Sequence, residues 1–333
     1  MTKFQLKNFI VLLFFCFLSF NAISQDQEEL HKKTMITDRH ICDDPQAINH
    51  NMSFDTCEYP RTKKRFKTVT KLDDTVNETS GLIYDKGFIW THNDSGGEAA
   101  LYKINPKTGN IVQKVTITNA ENIDWEDLAQ DANHIYIGDF GNNLGYRKDL
   151  KIYKIAKADI NENTIEAAAE VISFSYPEQT SFTKDKNHNF DCEAFFVYNG
   201  ALHLFTKNWN DAKTSYYKLS TERGDYKAKL IETFDAKGLI TAADIDSNGV
   251  IVLIGYTPNK LFMWICSNYE GEKLFSGSNR RIEMGKFIFN GQLEGICFTE
   301  NGEGYISSER FKVKKQHLRY FSLKKWLYIR KVI

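Results

Sequence analysis

The sequence predicts an all-β protein, and specifically a β-propeller of five four-stranded blades. The first observation is a repeated pattern, in which a polar residue opens a short apolar strand, a turn and a second short strand follow, and a polar loop ends the unit. The residues that open the five units are Ser80, Glu126, Glu193, Asp244 and Glu294. Their spacings are 46, 67, 51 and 50 residues. A repeat of this length is typical of propeller blades.

The second observation is that each opening pair of strands is followed by two more strand-like runs. Third strands, most of them rich in Tyr and Lys, are predicted at 100–104, 151–155, 215–219, 261–265 and 318–323. Fourth strands are predicted at 111–117, 170–176, 229–234 and 281–287. Four antiparallel strands make one blade.

The third observation concerns the last blade, for which the chain has no fourth strand left. Residues 65–72 resemble the fourth strands and lead into Ser80 as those strands lead into later units. An N-terminal strand in the last blade would close the ring and remove its open sheet edges. The long interval after Glu126 contains a polar segment, 177–189, which favours an inserted loop. An irregular sixth blade in that interval is the alternative.

The N-terminus has the features of an export signal. Lys3 and Lys7 precede an apolar run at 9–18, and small residues follow at 22–24. This pattern predicts a cleaved signal peptide over 1–24 and a secreted or periplasmic protein, with a membrane anchor as the alternative. Residues 25–63 show no sustained period and are interpreted as an irregular extension. The propeller is then expected over 64–333.

Charge and composition exclude some partners. The chain has 43 basic and 43 acidic residues. Such a balance provides no bulk attraction to nucleic acid or to anionic membranes. We therefore expect no nucleic-acid partner and no stable membrane insertion after signal cleavage.

The cysteines form two groups. Cys42 and Cys57 bracket a polar segment of the extension, and in an exported protein we expect them to pair. Cys192, Cys266 and Cys297 fall within strand-like runs without the spacing of a zinc site, which favours buried thiols.

The residues that open the units predict a metal site on the propeller axis. In a four-stranded meander, the loop entering the first strand and the loop after the second strand lie on the same face. Four carboxylates converging there would repel one another unless a cation compensates. Ca²⁺, ahead of Mg²⁺, is the natural ion for oxygen ligands. The predicted ligands are Ser80, Glu126, Glu193, Asp244 and Glu294, although such residues also cap strand starts.

The loops after the second strands supply candidates for chemistry on the same face. His92, Asp94 and Asp139 are candidate bases. Asn, Asp and Gly are common in tight turns, so these loops have a purely structural interpretation as well. The candidate ligand-binding residues are Lys207, Trp209 and Arg310, because tight turns do not require these residue types. They would suit an anionic or ring-bearing ligand.

Two segments carry a family resemblance. Residues 126–129 with 135–138, and residues 293–298, resemble the blade starts of the calcium-activated nucleotidase (apyrase) family. The resemblance implies a secreted five-bladed propeller with axial calcium held by Glu and Ser residues, which hydrolyses nucleoside di- and triphosphates. Asp244 stands where that family is expected to have Ser, and its arginine-rich phosphate-binding loops are not evident here.

The chain also resembles a broader set of secreted bacterial propellers with Trp-Glu-Asp followed by Gly-Asp-x-Gly-Asn, and propeller phytases by fold alone.

The sequence leaves three functions open. The first is a secreted calcium-binding propeller that holds a small anionic ligand or an extracellular polymer on its axial face. The alternative is a calcium-dependent phosphohydrolase, nucleotidase-like or phytase-like, in which the ion polarises phosphate oxygens and orients a water molecule. A structural propeller without a specific ligand is the third. Whether the chain is an enzyme is therefore undecided at this stage.

Overall fold

A computed structural model describes residues 41–52, 56–300 and 302–329. It divides the chain into two compact units, Met1–Cys57 and Glu58–Ile333. In the smaller unit, Cys42 and Cys57 form a disulfide with their Cα atoms 5.2 Å apart, which confirms the predicted pairing. The predicted signal peptide lies outside the described residues.

The larger unit is a five-bladed β-propeller, as predicted, with strands numbered here in chain order. Blade one contains β3 (Thr79–Asp85), β4 (Phe88–Asn93), β5 (Ala100–Ile104) and β6 (Ile111–Ile117). Blade two contains β7 (Trp125–Gln130), β8 (His134–Asp139), β9 (Lys151–Ala156) and β11 (Glu170–Ser175). Blade three contains β12 (Cys192–Tyr198), β13 (Ala201–Thr206), β14 (Thr214–Ser220) and β16 (Lys229–Phe234). Blade four contains β17 (Leu239–Ile245), β18 (Ile251–Tyr256), β19 (Lys260–Ser267) and β20 (Ser278–Lys286). Blade five contains β21 (Leu293–Glu300), β22 (Glu303–Ser308), β23 (His317–Ser322) and β2 (Lys67–Lys71).

The predicted third and fourth strands are all present, with small differences at their ends. No strand lies between Ser175 and Cys192, where every residue is described. The polar segment 177–189 is therefore an insertion and not a sixth blade. Among the described residues, one short α-helix, α1 (Phe287–Asn290), follows β20. Within the described part of the chain, no helix has the length and apolar character needed to cross a membrane.

The ring closes through the N-terminal strand. Strand β2 pairs antiparallel with β23, from Lys67 opposite Tyr320 to Lys71 opposite His317. This confirms the closing strand predicted at 65–72. Phe66, directly before β2, packs edge-on against Phe321 with ring centroids 6.0 Å apart. The N-terminal segment thus contributes both hydrogen bonds and core packing to the last blade.

Three short parallel strands extend the outer edges of blades and were not predicted. They are β10 (Glu166–Ala167) beside β6, β15 (Gly224–Lys227) beside β11, and β1 (Thr62–Lys63) beside β20. Each comes from the segment that precedes the fourth strand of the next blade. The propeller unit therefore includes Thr62 and Lys63, just before the boundary expected at residue 64. Strands of two to four residues are too short for a sequence period to show.

The core lies between neighbouring blades. Phe321 is fully buried and contacts Phe298 at 5.5 Å between ring centroids. The thiols of Cys192, Cys266 and Cys297 are free and buried, as predicted.

Truncating Phe321 to alanine should lower the free energy of unfolding by about 3–5 kcal/mol, because it opens a cavity where blade five meets the N-terminal segment. Val313→Ala, at a side chain that is 97% exposed, should change the same quantity by less than about 0.5 kcal/mol. Urea denaturation of both variants tests this. Equal effects would mean that the contact between Phe66 and Phe321 does not stabilise the closed ring.

Candidate metal centre

A β-bulge near the start of each inner strand positions the axial side chains. The register shifts lie between Ser80 and Ile83, Trp125 and Leu128, Cys192 and Ala194, Ile240 and Ala242, and Leu293 and Gly295. A bulge inserts an extra residue and redirects its side chain. Glu126, Glu193 and Glu294 occupy such positions in blades two, three and five.

Asp244 does not belong to this set, so the predicted ring of five is wrong at that position. The bulge of blade four contains Thr241, whose hydroxyl donates to the Leu293 carbonyl at 2.6 Å. Asp244 lies three residues further along, opposite Val252 and beside the turn at the other end of the strand. Its carboxylate accepts a hydrogen bond from the Phe298 amide at 2.7 Å. The apolar run of β17 gave no sequence signal for where the bulge lies.

Seven carboxylates interact at the axial face where the inner strands begin. Glu193 interacts electrostatically with Glu294, and Glu309 with Asp94. These seven are Asp94, Asp124, Glu126, Asp191, Glu193, Glu294 and Glu309, referred to below as the axial acid cluster. Glu78 interacts electrostatically with Asp94 and Glu309 as well.

Within the axial acid cluster, two groups of three carboxylates are close enough to share an ion. In the outer triad, Asp94, Asp124 and Glu126 each offer an oxygen within 4.8 Å of the others. In the inner triad, Glu126, Asp191 and Glu193 do the same. Glu126 is common to both triads.

The inner triad already has partners. The Lys207 ammonium donates to Glu193 Oε1 at 2.8 Å, and both side chains are about 5% exposed or less. Asp191 accepts hydrogen bonds from the Asn142 amide at 2.6 Å and from Trp209 Nε1 at 2.7 Å. Lys207 and Trp209, predicted as ligand-binding residues, thus bind carboxylates of the protein itself. They also contact each other, with the ammonium 5.0 Å from the indole centroid.

The outer triad lacks such partners. Asp94 accepts one hydrogen bond, from the Ser95 amide at 2.5 Å. Among the described residues, none donates a hydrogen bond to the carboxylates of Asp124 or Glu126, and Glu126 is only 5% exposed. Gly141 packs directly over them, since a Cβ there would lie 2.1 Å from Glu126 Oε1. Three converging carboxylates with one hydrogen-bond donor among them, under a backbone too close for a side chain, fit a hard cation.

Burial and mutual repulsion raise the pKa of these acids. Burial, followed by the charges of neighbouring carboxylates, raises the pKa of Asp124 to about 7. Burial raises the pKa of Asp94 to about 6, although the Ser95 amide and Lys207 oppose the shift. The pKa of Glu126 is raised well above its ordinary value by burial and then by Glu193. Without a cation, the cluster holds protons at a pH where isolated carboxyl groups are ionised.

The remaining candidates are placed differently from the prediction. The Ser80 hydroxyl donates to the Glu126 carbonyl and so links blades one and two. His92 was expected on the open face, but it is fully buried and packs edge-on against Trp125 at 5.5 Å. Burial lowers the pKa of His92 to about 4. This imidazole is a neutral packing group and is poorly placed to carry protons to a ligand.

Two further candidates, Asp139 and Arg310, interact with other residues of the protein instead. Asp139 forms a buried ion pair with Arg147 at 2.9 Å, and its carboxylate accepts a hydrogen bond from the Asp124 amide. Arg310 has an exposed side chain that interacts electrostatically with Asp74, and its amide donates to the Asn77 carbonyl.

Sequence reasoning missed Asp124, Asp191 and Glu309 as site residues. A signal for two of them was present, because Asp124-Trp125-Glu126 and Asp191-Cys192-Glu193 share the pattern Asp-x-Glu. Side chains two residues apart on a strand point to the same side, so this pattern predicts paired acids. Glu309 follows the second strand of blade five and had no such pattern.

Comparisons with known proteins find distant structural neighbours and no family. No protein-family model matches the chain, and no curated protein matches its sequence. Regucalcin from Agrobacterium tumefaciens, a calcium-binding protein, is 14% identical with a TM-score of 0.41, over 78% of this chain and 95% of that one. A suggested gluconolactonase is 11% identical with a TM-score of 0.40, over 75% and 77% of the two chains. An exo-β-1,3-galactanase from Phanerochaete chrysosporium is 8% identical with a TM-score of 0.47, over 77% of this chain and 64% of that one. All three TM-scores are below 0.5, so these likenesses are distant.

The raised pKa values predict how the stability of the metal-free protein depends on pH. The folded state holds the protons of Asp94 and Asp124 at pKa values of about 6 and about 7, against an ordinary value of 3.8. This contribution favours the folded state at low pH and is lost as the pH rises through 6 and 7. In chelator, the free energy of unfolding should therefore fall between about pH 4 and 7, the interval between the ordinary and the raised pKa values.

Urea denaturation across that pH range measures the effect, with the Asp94→Asn/Asp124→Asn variant as the comparison. The variant should lose part of the fall, because burial also raises the pKa values of Glu309 and Asp244 to about 7. A variant with the full pH dependence of the parent would show that these two carboxyl groups are not its source.

Proposed function

We propose that this chain is an exported calcium-binding β-propeller whose bound ion helps to hold an anionic ligand on the axial face. The observation that carries the proposal is Glu126, a buried carboxylate without a hydrogen-bond donor among the described residues. It lies within 4.8 Å of the oxygens of Asp94 and Asp124. An isolated carboxylate in such a place is costly unless it is protonated or bound to a cation.

The outer triad suits calcium in donor type and in access. Ca²⁺ accepts six to eight oxygen ligands with flexible geometry, whereas Mg²⁺ demands a strict octahedron. Asp94 and Asp124 are only partly buried, so an ion held there would keep part of its coordination sphere toward solvent. An anionic ligand could occupy those positions. Lys207 would add a positive charge nearby, although Glu193 already neutralises much of it.

Binding is better supported than phosphate hydrolysis. Asp139 is engaged by Arg147, and His92 is buried against Trp125, so neither is placed to activate a water molecule. Arg310, the predicted stabiliser of phosphate charge, is exposed and interacts with Asp74. No family model supports the resemblance to calcium-activated nucleotidases, so their reaction is not proposed for this chain. The predicted signal peptide and the Cys42–Cys57 disulfide support export.

A calorimetric calcium titration of residues 25–333 after chelator treatment tests the proposed ion site. One equivalent of calcium should bind, and Asp124→Asn or Glu126→Gln should weaken binding at least about tenfold, because each removes a charged ligand. Asp244→Asn is the matched control, since it removes a carboxylate at the other end of an inner strand. A folded parent without calcium binding would refute the proposal, as would equal losses in Asp244→Asn and Glu126→Gln.

The Lys207–Glu193 pair yields a second prediction. Lys207→Met leaves Glu193 buried beside Asp191 and Glu126, so the free energy of unfolding in chelator should fall by about 3–5 kcal/mol. Lys260→Met is the control, because its partially exposed pair with Glu283 should contribute less than about 1 kcal/mol.

Calcium should recover part of the stability of Lys207→Met, since the ion replaces the lost positive charge. Thermal unfolding with and without calcium measures the recovery. If Lys207→Met is no less stable than Lys260→Met, the ammonium does not compensate the inner triad.

A further inference from the structure

A second charged site of opposite sign lies on blade four, outside the axial acid cluster. It is a surface pocket of about 340 Å³ between the segment that contains β1 and the end of β20. The side chains that line it include six basic ones and a single carboxylate, Glu283. The basic residues are Arg61, Lys63, Lys64, Arg65, Lys260 and Lys286. This site is called the basic pocket below.

Most of the positive charge of the basic pocket is uncompensated. Glu283 accepts both hydrogen bonds of the Arg61 guanidinium, at 2.8 and 2.9 Å, and a third from Lys260 at 3.2 Å. Its one negative charge is therefore shared by two cations. In the described structure, the exposed side chains of Lys63, Lys64, Arg65 and Lys286 form no ion pair. Like charges held this close favour the binding of an anion.

The backbone forms the pocket at a defined irregularity of blade four. The pairing of β19 with β20 shifts between Leu261 and Phe262, next to Gly285. Gly285 has φ +118, a value that favours glycine, and a Cβ there would lie 3.6 Å from Arg65 Nε. Strand β1 runs parallel to β20, with Thr62 opposite Ile282 and Lys63 opposite Glu283. The pocket is thus built by tertiary pairing and is not a random surface grouping.

A further guanidinium lies beside the pocket. Asn290, at the end of α1, donates to the Lys286 carbonyl at 2.7 Å and accepts from Arg319 Nη2 at its own carbonyl at 3.2 Å. Arg319 is 6% exposed, and its Nη1 has no hydrogen-bond partner among the described residues. Positive charge therefore extends behind Asn290 to Arg319 on β23 of blade five.

We propose that the basic pocket binds a phosphate or sulfate ester group. Arginine and lysine recognise tetrahedral oxyanions through charge-assisted hydrogen bonds, and Arg65 with Lys64 provides both kinds of donor. Single-stranded nucleic acid is disfavoured as the source of the group, because the residues that line the pocket include no aromatic side chain for base stacking. The charge is a local product of the fold, since the whole chain is formally neutral.

The group could belong to a soluble ester or to a lipid headgroup. Two apolar side chains of α1 are exposed directly after Lys286, Ile288 at 58% and Phe289 at 57%. Exposed apolar groups beside basic ones are also found where proteins contact anionic membranes. The experiment therefore uses one probe of each kind.

The soluble probe is inositol hexakisphosphate, titrated calorimetrically into residues 25–333 in chelator and low salt. Chelator keeps the axial acid cluster out of the measurement, so this test can fail without affecting the calcium proposal. Lys64→Glu/Arg65→Glu should weaken binding at least about tenfold. Lys107→Glu/Lys227→Glu makes the same change in net charge at exposed positions on other blades and should weaken binding less than about threefold.

The lipid probe is a phosphatidylcholine vesicle containing phosphatidylglycerol, assayed by cosedimentation. Vesicle binding that is lost in Ile288→Ser/Phe289→Ser, with inositol hexakisphosphate binding unchanged, assigns the group to a lipid. Binding of the soluble probe alone assigns it to a soluble ester. The proposal is overturned if the parent binds neither probe, or if the two charge-reversal variants weaken binding equally.

Discussion

The pairing of β2 with β23 is the interaction on which the rest of the propeller depends. It joins a strand near the start of the larger unit to the last strand that the structure describes and leaves blade five with its full complement of four strands. Only a closed ring forces the inner strands of all five blades toward one axis. That convergence leaves no room for a side chain at Gly81, where a Cβ would lie 2.5 Å from the Leu128 amide nitrogen. The acidic side chains of blades one, two, three and five meet because the ring closes.

Closure has an electrostatic cost, and the structure compensates it unevenly. The carboxylate of Asp127, fully buried near the axis, accepts hydrogen bonds from the backbone amides of Leu128, Phe195 and Ala243. Asp139 is neutralised by Arg147, and Glu193 by Lys207. The outer triad of Asp94, Asp124 and Glu126 receives little comparable compensation. A protein selected for stability alone would pair or remove these charges, so the uncompensated triad is where a function is most reasonably sought.

The two charged sites follow from different features of one architecture. The axial acid cluster comes from bulges at the starts of inner strands, whereas the basic pocket comes from a parallel strand added to an outer edge. Each depends on contacts between segments that are far apart in sequence, such as Arg61 with Glu283. Opposite charges kept at separate places allow a formally neutral chain to offer one site for a cation and another for an anion.

The sequence by itself determined the fold class, the closing strand and the buried thiols, because strand periodicity and repeat length are local properties of the chain. It favoured five blades but left a sixth open, and the absence of a strand between Ser175 and Cys192 decided for five. It also located Glu126, Glu193 and Glu294, whose acidic side chains interrupt apolar strands. Tertiary structure alone decided that Thr241 and not Asp244 occupies the bulge of blade four, since a shift of a few residues along an apolar strand leaves no compositional trace. It also decided which acids are paired. Whether Lys207 meets Glu193 or a ligand depends on distances between blades, and no pattern along the chain encodes those distances.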